Sequence, residues 1–590
     1  GVLTRFDIYS KERNLDENKT LRKYLKNTLL VKPKYIEFNN QFQSEFNSNV
    51  LNCILRAIRP LSYIQLISLP KIIDSGNLYN ALADFVSRNS EVKILKLHNN
   101  ADENFDRFSN DLSESQVSQL RGLIFEDVDL TSEELDRVQK LTVARKFTSA
   151  SFINSIHDGI FDQFYQNYLS NEILAKLRYL SLDRTPGLKL NSLIGKIFPL
   201  SALSLANCGL EIADVLETIN SNGIKNLRLL NLSGNKMSRL TTVEFPPYLE
   251  HLDVSSVQWD SGILPSFIQY IISYQYKNKV TLNFSNAQGV SDHDWEHISQ
   301  IFEQSEGCHI ESLSWSSNRP SPQLFEFLTK CKGFNTLFLN NCFDVSTDST
   351  ILESFNQSLP RMESLQNLVI VGSEGHELRE YSIPLFQSLK QHPTLSLLNV
   401  DGNKIKEDGI KELKELILST PNLQYLSFDD SVMTSINQLN DVISAAQTRK
   451  KPLHIGYPLN DLKTLQEANS VSSDEIHECK KKLVTLATGR QAISLPTHPR
   501  DLESLLSEPM DPIASSTRNK SLRNRSQRGS NIFYSRKRDA KIPDNRTLRT
   551  QSIRGKIPTF FDMKRSPTEE DPDSWINQPF EVYRIGLTDQ

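Results

Sequence analysis

Leu227-Arg228-Leu229-Leu230-Asn231-Leu232-Ser233-Gly234-Asn235 is the stretch on which the fold turns. Leu227, Leu230 and Leu232, followed three places on by Asn235, spell L-x-x-L-x-L-x-x-N, the repeat of a strand-lined solenoid. Working outward, the same pattern stands at Leu177–Leu182, Leu200–Cys208, Leu249–Val254, Ile310–Asn318, Phe334–Cys342, Leu365–Ile370, Leu395–Asn403 and Leu423–Phe428. With the last apolar residue of each strand as an anchor, the series is Phe38, Leu66, Leu97 and Phe125. It resumes at Leu182, Leu205, Leu232, Val254, Phe284, Trp315, Leu339, Ile370, Val400, Phe428 and Ile455. Spacings are 28, 31 and 28, then 57, then 23, 27, 22, 30, 31, 24, 31, 30, 28 and 27. The 57 holds two periods, so a degenerate repeat is expected near Phe147–Phe152. These counts predict an α/β leucine-rich-repeat solenoid of about sixteen strand–helix units over residues 31–460.

The pattern has a direct physical reading. Two apolar residues per strand point inward, and the residue between them faces the concave side. The polar residue three places past the anchor turns in and satisfies backbone groups that the bend leaves unpaired. That ladder reads Asn100, Thr185, Cys208, Asn235, Asn318, Cys342, Ser373, Asn403 and Ser431. Periods near 28 leave room for a convex helix, and helical stripes are visible at Ile410/Leu413/Leu416/Ile417, Ile383/Phe386/Leu389 and Phe267/Ile268/Ile271/Ile272.

The chain of 590 residues is 38% hydrophobic and 23% charged, with net charge −4, which excludes a disordered polyelectrolyte and a membrane-spanning class. Six scattered cysteines with no C-x-x-C pair argue against a disulfide framework or a zinc module, and predict a reducing, cytoplasmic setting. The start at Gly1 has no methionine or signal peptide, so an upstream domain is expected to be missing. Residues 1–30 read as an N-terminal remnant plus a capping helix at 19–30, and 461–488 as a helical cap with Ser473-Asp474-Glu475 as a start signal. Residues 489–590 lose apolar periodicity and are expected to be disordered. Within them, 518–556 carries thirteen Lys/Arg and two acids, a local +11 that leaves −15 on the rest.

Catalytic signatures are lacking. His293-Asp294-Trp295-Glu296-His297 fits an inverted zinc-peptidase string, but it belongs to a convex helix whose buried side is Trp295, Ile298 and Phe302. Both histidines then face solvent, so no metal, no cofactor and no enzyme activity are expected. The candidate binding residues lie on the concave face: Asp183, Asn231, Asp253, Phe338, Val369, Val371, Asn399, Asp401 and Asp429. Phe338 with Val369 and Val371 reads as the only apolar patch in a polar field, where interface energy concentrates; simple stacking along the sheet is the competing reading. Serine at Phe338 and Val371 is expected to abolish partner capture with little change in thermal stability. In the tail, Arg518, Lys520, Arg523, Arg525, Arg528, Arg536, Lys537 and Arg538, interleaved with Ile532-Phe533-Tyr534, suit an anionic lipid surface. Nucleic acid accepts the same charges but is not the expected partner.

Sixteen repeats of about 28 residues with a helical C-terminal cap and a basic, proline-containing tail resemble the CARMIL family of actin-regulating linkers. The resemblance implies a cytosolic interaction scaffold whose partners are actin-cytoskeleton regulators, with the tail tethered to cytoskeleton or to the inner face of the plasma membrane. It also implies an upstream pleckstrin-like domain, of which only Val2–Tyr9 would remain. The family's capping-protein motif is not found in the tail, and the Asn/Ser/Gln-rich usage fits a diverged protist member. The alternative is a ribonuclease-inhibitor-like or GTPase-regulating repeat protein that acts on one enzyme partner through the horseshoe alone.

Overall fold

Among the described residues sixteen parallel strands, from Tyr35–Glu37 to His454–Ile455, form one sheet in which each strand pairs with the next of its members along the chain. The computed structural model describes residues 2–487, apart from 14, 16–20, 23–24, 26–34, 39–46, 70, 72–77, 99–104, 195–199, 241–244, 275, 345–346, 348, 391 and 469. They fall in one of the chain's two compact units; the other, Glu508–Ser574, lies outside them, as does the whole expected tail from 489. Neighbouring strands sit about 4.8 Å apart while packed helices need 8–10 Å, so the strand side takes the shorter arc. The protein is a leucine-rich-repeat solenoid.

The pairing register tests the anchors one by one. Leu97, Phe125 and the degenerate-repeat strand Ser149–Ile153 align, followed in step by Leu182, Leu205 and each later anchor to Phe428. Two positions differ. Ile36 pairs with Ile67, so the residue level with Phe38 is Leu69, three places beyond Leu66. Leu66 therefore belongs to the opposite face, since an odd slip inverts every side chain of a strand. Leu426 pairs with Ile455, which makes Ile455 the earlier inward residue and Tyr457 the last one.

Two residues past the anchor the chain bends in the same way in eleven repeats; Gly372, two past Ile370, is an exception. Asp127, Asn154, Arg184, Asn207, Gly234, Ser256, Asn286, Ser317, Asn341, Gly402 and Asp430 all have φ between +47° and +74°. Asn, Asp and Gly tolerate this left-handed region best, which is why they recur there. Gly402 is the least forgiving case, because a Cβ there would lie 2.0 Å from a backbone atom, the carbonyl oxygen of Gly372 in the preceding repeat. Gly402→Ala is expected to lower stability by about 2 kcal/mol, and Gly234→Ala by about 1 kcal/mol, since Gly234 meets only the movable Asn207 side chain. The two urea midpoints check the order.

Convex elements follow repeat length. The helix Lys406–Ser419 buries Ile410, Leu413, Leu416 and Ile417, and Ile263–Ser273 buries Phe267, Ile268 and Ile271 with Ile272 half-exposed. In Ser382–Leu389 the buried side is Leu385, Phe386 and Leu389; Ile383 is half-exposed. The 22-residue repeat after Leu232 is too short for a helix, and its outer side carries Lys236–Met237, paired with Gln258–Trp259. The repeat after Phe152 swaps leucines for aromatics: Phe152, Phe164 and Tyr168 pack with centroids 5.0–5.6 Å apart around broken helical turns. Its motif is thus faint in sequence while its core is full.

Val2–Tyr9, expected to be the remnant of an upstream module, lies in a helix, Val2–Glu12, that packs on the first convex helix. Arg5 Nε donates to Ala57 O at 3.1 Å, and Arg56 lies 4.2 Å from the Tyr9 ring centre. Of the expected capping helix only Leu21, Arg22 and Leu25 are described, helical with both leucines buried. At the far end stand Leu459–Glu467 and Ser473–Ala487, the latter capped by Ser472 and Glu475. No helix among the described residues is long and apolar enough to cross a membrane.

Candidate functional site

The inner face of the sheet is built on two interleaved polar ladders. The first is the expected one. Asn235 donates to the anchor carbonyl of the preceding strand, Leu205 O, at 2.8 Å, and accepts from Cys208 N and Leu210 N at 3.1 and 3.0 Å. Asn318 reaches Phe284 O at 2.8 Å and Asn403 reaches Ile370 O at 2.6 Å. Cys208 and Cys342 donate S–H to Leu182 O and Trp315 O at 3.1 and 3.3 Å, which makes both thiols scaffold.

Occupying the anchor carbonyls leaves the N–H one residue past each anchor in need of an acceptor. A concave side chain supplies it, in one of two ways. Where the strand's own concave residue is Asn or Asp, it bends forward: Asn231 to Ser233 N, Asp253 to Ser255 N, Asn283 to Ser285 N and Asn399 to Asp401 N, all at 2.9–3.0 Å. Where it is not, the preceding strand reaches across in four repeats, while Ser181 Oγ accepts from Asp183 N of its own strand at 3.4 Å. Asp183 accepts from Ala206 N, Ser316 from Asn340 N, Asn340 from Val371 N and Asp401 from Asp429 N, at 2.6–3.1 Å. Phe338 and Val369 can be apolar because Ser316 and Asn340 do that work for their strands.

This second ladder changes the standing of the polar candidates. Asp183, also bonded to Ser204 Oγ at 2.5 Å, is held by the scaffold, and desolvation raises its carboxyl above the ordinary range. Asp253 binds Asn283 Nδ2 at 3.0 Å, Asp401 binds Ser427 Oγ at 2.8 Å, and Asp429 accepts from Asn460 N and Asp461 N. These residues, with Asn231 and Asn399, close the sheet edge first, and only their remaining lone pairs are available to a partner.

Phe338, Val369, Leu397 and Tyr425 form an apolar cluster separate from the main core, with Val371 half-buried beside it. Phe338 and Val369 are only 4% and 3% exposed, so side-by-side stacking along the sheet accounts for most of their surface. Serine at Phe338 therefore removes packing, contrary to the expectation of unchanged stability. Nor is this the only inner apolar patch. Leu66, Ile94 and Ile124 with Ile153 make a second near the N-terminus, and Tyr179, Ala202 and Leu229 a third. The second was hidden by the misplaced anchor at Leu66. Beside it lies an ionic group: Glu126 meets Lys96 Nζ at 2.7 Å and Arg184 at 2.5 Å, with His98 at 3.8 Å and its pKa lowered mainly by burial.

His293, Glu296 and His297 lie exposed on the helix Asp292–Gln304, while Asp294, Ile298, Ile301 and Phe302 are buried. Asp294 caps that helix with Ser291 and so has a structural task. Among the described residues no three His, Cys, Asp or Glu side chains are grouped to hold a metal. The tail candidates Arg518 to Arg538 lie outside the described residues.

No protein-family model and no curated protein matches this sequence. Among solved structures the chain is similar to TLR13 in a complex with ssRNA13, at 14% identity and a TM-score of 0.30, over 68% of this chain. That match spans 58% of the TLR13 chain. It is also similar to the leucine-rich repeat-containing protein LegL7 from Legionella pneumophila, at 16% identity and a TM-score of 0.32, over 52% of this chain and 98% of that one. An internalin, inlF, from Listeria monocytogenes is similar at 15% identity and a TM-score of 0.25, over 65% of this chain and 80% of that one.

Proposed function

We propose that this chain is a non-catalytic interaction scaffold that binds a protein partner on the inner face of its C-terminal half. The observation that carries the reading is the apolar strip Phe338–Val369–Leu397–Tyr425, which crosses four consecutive strands and ends at the half-buried Val371. An apolar edge amid fixed polar groups suits a partner side chain that displaces water without stranding a hydrogen bond. Val371→Asp places a charge at that edge while the backbone N–H stays capped by Asn340. It is expected to weaken partner binding at least tenfold and to change stability by under about 1 kcal/mol. Leu418→Asp, at a convex residue 49% exposed, is the control. Cross-linking mass spectrometry and affinity capture with the three full-length proteins check it; equal capture by all three removes the reading.

A finer reading places the scaffold in actin regulation, with the basic segment 518–556 as a tether to an anionic membrane or to the cytoskeleton. Its support is composition, since spread-out charge of +11 gains about 1 kcal/mol per Lys/Arg near an anionic surface. Co-sedimentation with phosphatidylserine vesicles over a salt series tests it. Binding must fall steeply as screening shortens, and charge reversal at Arg536, Lys537 and Arg538 must remove much of it.

A further inference from the structure

Four of the six cysteines lie outside the polar ladder, and two of them, Cys308 and Cys331, flank one junction between repeats. Cys308 precedes the strand Ile310–Ser314, and Cys331 is the C-cap of the convex helix Pro322–Lys330 in the next repeat. The residues just before them touch: a Cβ on Gly307 would lie 2.5 Å from Lys330 O and 2.8 Å from Lys330 C, so only glycine fits beside the residue before Cys331. Gly307 has φ of +99°, and Lys330 Nζ ties back to Ser305 O at 3.2 Å, fixing the same junction from its other side. The two thiols, each one residue past these touching positions, interact with each other, and Cys331 Sγ also donates to Phe327 O at 3.5 Å. Cys308 is half-exposed and Cys331 is 5% exposed.

The thiols of this chain are chemically unequal. Burial pushes Cys208, Cys342 and Cys479 up to about 12 and raises Cys53 as well. Cys331 alone is lowered, because Cys308 donates to its sulfur from both side chain and backbone and Lys330 adds a positive charge. Cys308, the donor, is raised. A low-pKa thiol with a second thiol in contact is the arrangement of an attacking and a resolving cysteine.

We propose that Cys308 and Cys331 are a peroxide-responsive modification site that closes, reversibly, to a disulfide joining two adjacent repeats. The Cys331 thiolate attacks one oxygen of a hydroperoxide; the S–O bond forms, the O–O bond breaks, and hydroxide or alkoxide leaves. Cys308 sulfur then attacks the Cys331 sulfenic sulfur; the S–S bond forms, the S–O bond breaks, and water leaves with the Cys308 proton. The peroxide takes both electrons, so two thiols and hydrogen peroxide give a disulfide and two waters. The staple lands where the chain leaves the convex helix for the strand Thr336–Phe338, and so fixes the first strand of the apolar strip.

The test uses the full chain treated with hydrogen peroxide at neutral pH, alkylated and mapped by non-reducing peptide mass spectrometry. The expected product is an intramolecular Cys308–Cys331 link, with alkylatable thiols under denaturing conditions falling from six to four and returning with dithiothreitol. Cys308→Ser is expected to trap a dimedone adduct on Cys331, and Cys331→Ser to leave Cys308 unoxidised. Thermal melts of both variants establish that they are folded. Dimedone label on Cys308 in Cys331→Ser, links between two chains, or oxidation reaching other cysteines first overturns the proposal.

Discussion

Asn235→Ala is expected to cost about 4 kcal/mol, more than any other single polar change in the sheet. Its side chain is 3% exposed and donates to Leu205 O and Leu232 O at 2.8 and 2.9 Å while accepting from Cys208 N and Leu210 N. Alanine strands four buried backbone groups at about 1–3 kcal/mol each, offset in part by relaxation or an entering water. The contrast is Cys342→Ala at the same repeat position, which loses a weak S–H bond to Trp315 O at 3.3 Å and is expected to cost about 1 kcal/mol. Repeat arrays unfold in nearest-neighbour units, so the loss should be local. Amide exchange at Cys208 and Leu210 is expected to quicken far more than at Leu426. Equal urea midpoints for the two variants would sink the idea that the asparagine ladder, rather than apolar stacking alone, holds successive repeats together.

The asparagine ladder was legible because its residue type, its spacing from the anchor and its energetic task coincide. Period and anchor gave the strand count, down to the repeat at Phe147–Phe152, where aromatics replace leucines. Legibility ended where two registers were equally apolar. In Leu66-Ile67-Ser68-Leu69 both alternations put leucine inward, and pairing with Ile36 on one side and Leu95 on the other decided for Leu69. The inner face was misread for a different reason. Alternation shows that Asp183 or Asp401 points off the sheet, but not that a backbone N–H in the next strand already holds it. A usable signal was present: strands whose own concave residue is Phe338 or Val369 follow strands with Ser316 or Asn340 one place past the anchor. Apolar and polar choices on neighbouring strands are coupled through a single N–H, and one strand read alone cannot show that.

Acidification from pH 7 to pH 4 is expected to stabilise the C-terminal end of the solenoid by about 3 kcal/mol through one residue, Asp461. This carboxyl is 3% exposed and does for the last repeat what Asn235 does in the middle, accepting from Ser431 N at 2.9 Å and Met433 N at 3.3 Å. Desolvation, reinforced by the nearby Asp430, raises its pKa from 3.8 to about 6 in the folded chain, in spite of those hydrogen bonds. A group raised in the folded state binds its proton more tightly there. Its contribution is fully present below 3.8, falls as the unfolded chain ionises first, and is gone above about 6. Two pKa units at about 1.4 kcal/mol each give the stated size. Glu377 runs the other way: Lys404 at 2.5 Å and Arg379 at 3.0 Å lower it from 4.5 to about 2, so its contribution is lost only as pH falls below 4.5. Between pH 4.5 and 6 the Asp461 effect is therefore unopposed by that pair. The two N–H groups meet different oxygens of Asp461, but one amide oxygen holds the equivalent pair at Asn235, so Asp461→Asn isolates the charge. The variant is expected to be about 3 kcal/mol more stable than the natural chain at pH 7 and equal to it near pH 4. A stability difference that stays flat across that range in urea titrations would mean that water reaches the carboxylate, and that the last rung is open to solvent rather than sealed by the helix Leu459–Glu467.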